Sequence, residues 1–251
     1  MFDSNTRINS KDYQSSLKKL SNELSKFKID KALCILCSKS KKYNVKDFLK
    51  HTNEYKNIFP VIELRKKDCN FKRLEYLKKI GVQSVKIHPR HLSLDFRRKK
   101  FYKDLFKNLS KFKFLVLWCT LDSWPKYYSS SEDQINLISE ILNQNQKISI
   151  LLMHGGGSNL LKYYEKFRFR KNLYLDLSYT IYKFKDTTVI KDVIHLLKNF
   201  DKRIIIGTDY PDISFQEHYQ NLKLLIKKNK FSIKKSKNFL NLNLIRIINE
   251  T

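Results

Sequence analysis

The chain is short of the residues that punctuate structure, with five glycines and four prolines in 251 residues. No linker, low-complexity stretch or short internal repeat is present, so a single domain over 1–251 is expected. Hydrophobic runs are short too. None approaches the ~20 residues that a membrane helix needs, which argues against a membrane protein. The opening MFDSNTR has no apolar stretch behind a basic one, so a cytoplasmic location is the expectation. Cysteine is scarce: Cys34, Cys37, Cys69 and Cys119. Cys34 and Cys37 form a lone C-x-x-C inside ALCILC, which reads as a strand whose alternation sends the two to opposite faces. No second pair or nearby histidine completes a zinc site there, and reduced core thiols are expected. Acidic residues are few, 24 against 51 Lys and Arg, for a formal charge of +27. That balance invites a nucleic-acid reading. Only ten of the basic residues are arginine, however, the side chain whose planar fork suits phosphate best. The basic residues also spread along the whole chain, from Lys39–Lys42 to Lys234–Lys237, as solvated surface does. Specific nucleic-acid binding is therefore not expected, whereas a small anionic substrate is.

Three of the five glycines stand together in Ile148–Gly157, ISILLMHGGG. An apolar strand that ends in His154 and opens onto a glycine loop reads as the mouth of a site. Seven further apolar runs are read as strands: Met1–Asn5, Ala32–Cys37, Ile58–Leu64, Val82–His88, Phe114–Cys119, Leu173–Leu177 and Ile204–Asp209. Stretches with helical spacing lie between them, such as Leu17, Leu20, Leu24 and Phe27. Eight near-continuous apolar strands alternating with helices predict a parallel α/β fold, a (β/α)8 TIM barrel. The runner-up, a doubly wound open sheet, lacks a G-x-G-x-x-G after its first strand.

Barrel chemistry sits at the carboxyl ends of the strands. Those ends carry Asp3, Asn5, Arg7, Lys86, His88, Trp118, Cys119, His154, Asp176, Ser178 and Asp209. Asp209, in GTDYP, could ligate a metal, act as a general base or cap a helix. His88 and His91 flank Pro89 and could face substrate. His51, His195 and His218 fall in helical stretches and are expected to be surface or packing residues.

Five segments, in chain order VKIHPR, LLMHGGG, LYLDLSYT, RIIIGTDYP and NLIRII, resemble the amidohydrolase-related barrels, the branch with metal-dependent hydrolases and aminocarboxymuconate semialdehyde decarboxylase. The resemblance covers nearly the whole chain. It implies a metal-dependent hydrolase-like barrel, a divalent metal (zinc), and His154 and Asp209 among the ligands. Two strand ends depart from the pattern. Where the family has D-x-H-x-H, this chain has Asp3, Asn5 and Arg7. Where the fifth strand normally ends in histidine, it reads Leu117, Trp118, Cys119, Thr120. Arginine has no lone pair to give a metal. The expectation is a degenerate metal site in a hydrolase of an ester, lactone or amide, or in a decarboxylase. His154, Asp209 and Arg7 would be catalytic, with Asn5, Lys86, His88, Trp118 and Asp176 binding substrate. The alternative is a catalytically inactive barrel that binds an anionic ligand or a protein partner, its mouth filled by Trp118 and Trp124.

Overall fold

The computed structural model describes residues 1–8, 11–93, 95–121 and 130–250, so Trp124 lies outside the described residues. Eight strands run in chain order: β1 Phe2–Ile8, β2 Lys31–Leu36, β3 Ile58–Glu63, β4 Ser84–Ile87, β5 Leu115–Cys119, β6 Ile150–Met153, β7 Leu173–Asp176 and β8 Ile204–Ile205. Every neighbouring pair is parallel, in the order β1 to β8. The helices between and after them are α1 Tyr13–Lys26, α2 Val45–Thr52, α3 Phe71–Lys79, α4 Pro89–Leu92, α5 Lys99–Lys111, α6 Ser131–Gln144, α7 Leu160–Phe167, α8 Thr180–Lys183, α9 Val189–Asn199, α10 Phe215–Lys228, α11 Ile233–Lys237 and α12 Asn243–Asn249. Side chains of Asp12, Asn44, Asn70, Ser130, Ser214 and Ser232 accept the third backbone N–H of the helix each precedes. Such caps satisfy donors that the helix itself leaves open.

The seam between β8 and β1 closes the barrel without a regular ladder. Ser4 N donates to Ile206 O, Asp209 N to Asn5 O at 2.8 Å and Arg7 N to Tyr210 O at 2.9 Å. Asp3 ties the same seam from within. Its Oδ1 accepts Asn5 N at 2.9 Å and Thr208 N at 3.1 Å. Burial pushes its carboxyl up to about 7, against the pull of those donors. Gly207 is required at this seam, because a Cβ there would stand 2.4 Å from Ser4 Oγ and 2.9 Å from Asn5 N.

Strand alternation sorts the core into two shells. Leu33, Ile35, Val61, Leu115, Leu117, Leu151, Tyr174 and Ile205 fill the barrel interior, with Leu244 and Ile247 of α12 packed beneath. Val85, Ile87, Val116, Trp118, Leu152 and Leu175 face the helices instead. Asn243, from the NLIRII segment, donates to Ile204 O and Asp201 O and so locks α12 under the barrel. One sequence boundary changes: β1 continues past Asn5 to Ile8 through a register shift between Asp3 and Thr6. A π-turn at Asn238–Leu242 joins α11 to α12.

His218 on α10 is a packing residue, fully buried, and neither ring nitrogen meets a partner among the described residues. Burial alone lowers its pKa to about 4. Between that value and the ordinary 6.5 the unfolded chain binds a proton that the folded chain excludes. Stability therefore rises with pH across this window and is lost as pH falls through it. His218→Leu is expected to gain roughly 2–3 kcal/mol on wild type when the comparison moves from pH 7.5 to pH 4.5. Denaturant melts at the two pH values measure this, and an unchanged gap would contradict it.

Candidate active site

Two motif residues adopt backbone that non-glycine residues rarely use. His154 has φ 66° and Asp209 φ 73°, both in the left-handed region, as does Tyr179 at 64°. Strain of this kind costs about 1–3 kcal/mol per residue and collects at functional sites. Here the two left-handed residues end β6 and extend β8, and both turn into one cavity of about 410 Å³ at the carboxyl ends of the strands. His154 is followed by three glycines with positive φ. Gly156 lies so close to Tyr163 that a Cβ would stand 2.2 Å from the ring.

One wall of the cavity is built across the β8–β1 seam. Asp209 Oδ1 accepts Arg7 Nη1 at 2.5 Å and Asn5 Nδ2 at 2.9 Å. Arg7 also pairs through Nη2 with Asp212. Burial would lower the Arg7 pKa, but the two carboxylates outweigh it and hold the guanidinium charged. Beneath lies a chain of support. Asn5 Nδ2 donates to Ser178 Oγ, and Ser178 donates in turn to Asp176 Oδ2. Ser4 Oγ holds the other Asp176 oxygen at 2.8 Å. The Ser178 carbonyl accepts His154 Nδ1 at 2.9 Å, which fixes the proton on Nδ1 and leaves Nε2 for the cavity.

The opposite wall rises from β3, β4 and β5. Glu63 is buried, accepts His91 Nδ1 at 2.5 Å and also accepts Ser38 Oγ. Burial would raise its carboxyl, but His91, Lys86 and His88 overcome that and bring it to about 2. The His91 and His88 rings stack with centroids 3.8 Å apart. Lys86, buried beside Glu63, keeps its charge because Glu63 and the Cys119 thiol offset desolvation. Cys119 ends β5 and lines the cavity together with His88 and His154. Burial pushes its thiol up, but the His88 charge and the two imidazole contacts outweigh burial and hold it well below the ordinary value. His154 responds in the opposite sense. Burial would lower it, while Cys119, Asp209 and Asp176 raise it to about 9. At the lip stand Lys39, Lys41 and Arg90, all exposed. Five lysine or arginine side chains thus face three carboxylates around the cavity, Glu63, Asp209 and Asp212.

Arg7, Lys86, His88, His154 and Asp209 all line this cavity, as the strand ends predicted. Trp118 does not. It packs between β5 and α5, with ring centroids 5.5 Å from Tyr102 and 5.1 Å from Phe106, so it neither contacts the site nor fills its mouth. Parity is the reason: Leu115, Leu117 and Cys119 share the inner face, and Trp118 takes the outer one. Cys119, expected as an inert core thiol, lines the cavity in its place. Asn5 and Asp176 are fully buried behind the wall, where they hold Asp209, Ser178 and Ser4 rather than line the cavity. Glu63 was missed, although a single acid inside IFPVIEL is a readable signal.

No family profile matches the chain, and no curated protein matches it. Solved structures do. An uncharacterized TIM-barrel protein from Bordetella bronchiseptica superposes with a TM-score of 0.79 at 14% identity, covering 100% of this chain and 98% of the other. A 5-carboxyvanillate decarboxylase from Sphingomonas paucimobilis gives 0.72 at 12% identity, with 100% and 99% covered. A probable 2-pyrone-4,6-dicarboxylic acid hydrolase from Acinetobacter baumannii, with citric acid bound, gives 0.69 at 14%, with 99% and 98% covered. Identities this low speak for the fold alone. The chain has the (β/α)8 barrel fold of these structures, with its cavity at the carboxyl ends of the strands.

Proposed function

We propose that this chain is a divergent amidohydrolase-related hydrolase that cleaves an ester, lactone or amide in a small molecule bearing at least one further carboxylate. The observation that carries this reading is the Arg7 guanidinium seated on Asp209 inside a cavity whose lip is Lys39, Lys41 and Arg90. Arg7 stands where the resembling family places metal-binding histidine, and its positive charge is built into the chain.

A divalent ion does not fit these residues. Asp209 Oδ1 already accepts two donors, one of them a guanidinium that meets the carboxylate's charge. Asn5 Oδ1 is a buried acceptor without a partner, but one amide carbonyl is too weak to compensate for the missing histidines. Among the described residues no group of three or more His, Cys, Asp or Glu side chains is placed to hold a metal. The chemistry is assigned to the side chains themselves. Lys39, Lys41 and Arg90 draw in and hold the carboxylate. Lys86 stabilises the oxyanion that forms as the carbonyl is attacked. His154, protonated at neutral pH, gives a proton to the leaving group, and Asp209 takes one from water. The citric acid held by the Acinetobacter hydrolase supports a polycarboxylate ligand for this fold. Hydrolysis is favoured over decarboxylation because an acid and a base meet on one wall.

A panel of 4-nitrophenyl hydrogen succinate, its neutral methyl ester and carboxylated lactones and amides tests the reading. The charged ester is expected to exceed the neutral one in kcat/KM, with a gap that shrinks in high salt. Lys39→Ala with Lys41→Ala is expected to raise KM about three- to tenfold with kcat nearly unchanged. Citrate binding without turnover of any panel member would instead assign the chain to an inactive, anion-binding barrel.

A further inference from the structure

We infer that Cys119 is the nucleophile of this site and that hydrolysis proceeds through a thioester on its sulfur. The inference rests on the hydrolase reading above and adds a covalent step to it.

Four observations converge. Cys119 sits at the inward, carboxyl end of β5 and lines the same cavity as Lys86, His88 and His154. Two imidazoles, His88 directly after β4 and His154 directly after β6, line the cavity with its thiol. One of these, His154, is oriented by the Ser178 carbonyl, so nucleophile, base and orienting group stand in the relation that activates a thiol. Finally, the backbone around Cys119 is pinned. Thr120 Oγ1 donates to Met153 O and accepts Gly156 N at 2.7 Å, and Gln134 Nε2 donates to Cys119 O at 3.3 Å. Cys37 lines the cavity too, but beside Glu63, Lys86 and Arg7 and with no histidine acting on its thiol, and burial pushes Cys34, Cys37 and Cys69 each up to about 12.

The steps balance as follows. The sulfur attacks the carbonyl carbon, forming the C–S bond and placing the oxyanion toward Lys86. The carbonyl re-forms as the bond to the leaving oxygen or nitrogen breaks. The proton shared between Cys119 and His154 passes to that leaving group. Water then attacks the thioester, giving one proton to Asp209, and the C–S bond breaks to release the product acid, whose own proton passes to solvent as it ionises to the carboxylate. The proton returns to the Cys119–His154 pair, so the net reaction consumes one water.

The probe is 4-nitrophenyl hydrogen succinate. Rapid mixing with the full chain is expected to give a burst of nitrophenol equal to the enzyme present. Acid quench should then trap one succinyl group, hydroxylamine-labile, on the peptide carrying Cys119. Cys119→Ser and Cys119→Ala are each expected to lose the burst and the adduct, and kcat should fall about a hundredfold or more. Citrate binding by both variants reports an intact cavity, and Cys119→Ser keeps nearly the native volume should Cys119→Ala fold poorly. Turnover retained by both variants, or turnover by wild type with no adduct at Cys119, would overturn the nucleophile while leaving the hydrolase reading in place. Absence of turnover by wild type across the whole panel would overturn both.

Discussion

Asp209→Asn is expected to lower kcat/KM toward 4-nitrophenyl hydrogen succinate about a thousandfold, a loss of about 4 kcal/mol in transition-state stabilisation. The substitution keeps the shape of the side chain and removes its charge. Asparagine cannot take a proton from water, and its amide would present a donor to an Arg7 guanidinium that has only donors to offer. The Arg7 side chain is 14% exposed and would keep only Asp212, whose side chain is 62% exposed. Asp212→Asn touches the same guanidinium from the solvent side and is expected to change kcat/KM less than about threefold, because exposed pairs are weak. Steady-state kinetics on both variants, with citrate binding as the control for an intact cavity, measure the contrast. An Asp209→Asn enzyme within tenfold of wild type would remove Asp209 from the chemistry.

Gly156→Ala is expected to destabilise the fold by roughly 2–5 kcal/mol, from left-handed backbone strain and from overpacking. Gly156 has φ +87°, and its Cβ would fall 2.2 Å from the Tyr163 ring. The ring cannot withdraw easily, since Tyr163 is buried and its hydroxyl donates to Gln134, which in turn holds the Cys119 carbonyl. The damage should therefore reach the cavity wall at Cys119 as well as the core. Gly81 supplies the comparison. It has φ +96° but nothing within 4 Å of a Cβ, so Gly81→Ala should carry only the backbone cost of about 1–2 kcal/mol. Thermal melts of the two variants should differ clearly, with Gly156→Ala lower by on the order of 10 °C than wild type. Equal melting points for the two would show that the contact with Tyr163 carries no weight.

The barrel was readable because parallel strands buried on both faces become near-continuous apolar runs, and each run here ends at a polar residue or a glycine. The same property hid which side of β5 faces the site. In FLVLWC every residue is apolar or nearly so, and no alternation shows that Cys119 points in and Trp118 out. At β4 the polar Lys86 and His88 sit two apart and declare the inner face, and both line the cavity. His154 follows Met153, an inner-face residue, and strict alternation would turn it outward. Its left-handed backbone brings it back to the mouth, and the glycines beside it were the legible trace of that turn. Asp209 on Arg7 depends on how β8 meets β1, a contact between residues some two hundred positions apart that no local pattern encodes. Asn5 and Asp176 were recognised as special but given the wrong place, because position at a strand end does not separate a cavity-lining side chain from one that supports it from behind.

Metal content and turnover measured on one sample test most directly the claim that side chains, and not a metal, carry the chemistry in this barrel. Purified protein is dialysed against a strong chelator, its zinc, iron, manganese and other transition metals are quantified, and hydrolysis of 4-nitrophenyl hydrogen succinate is followed before and after. The expected result is substoichiometric metal throughout, kcat unchanged by the chelator, and no gain when divalent ions are added back. Tightly bound metal at one equivalent per chain, with activity that falls on its removal and returns on its addition, would contradict the account.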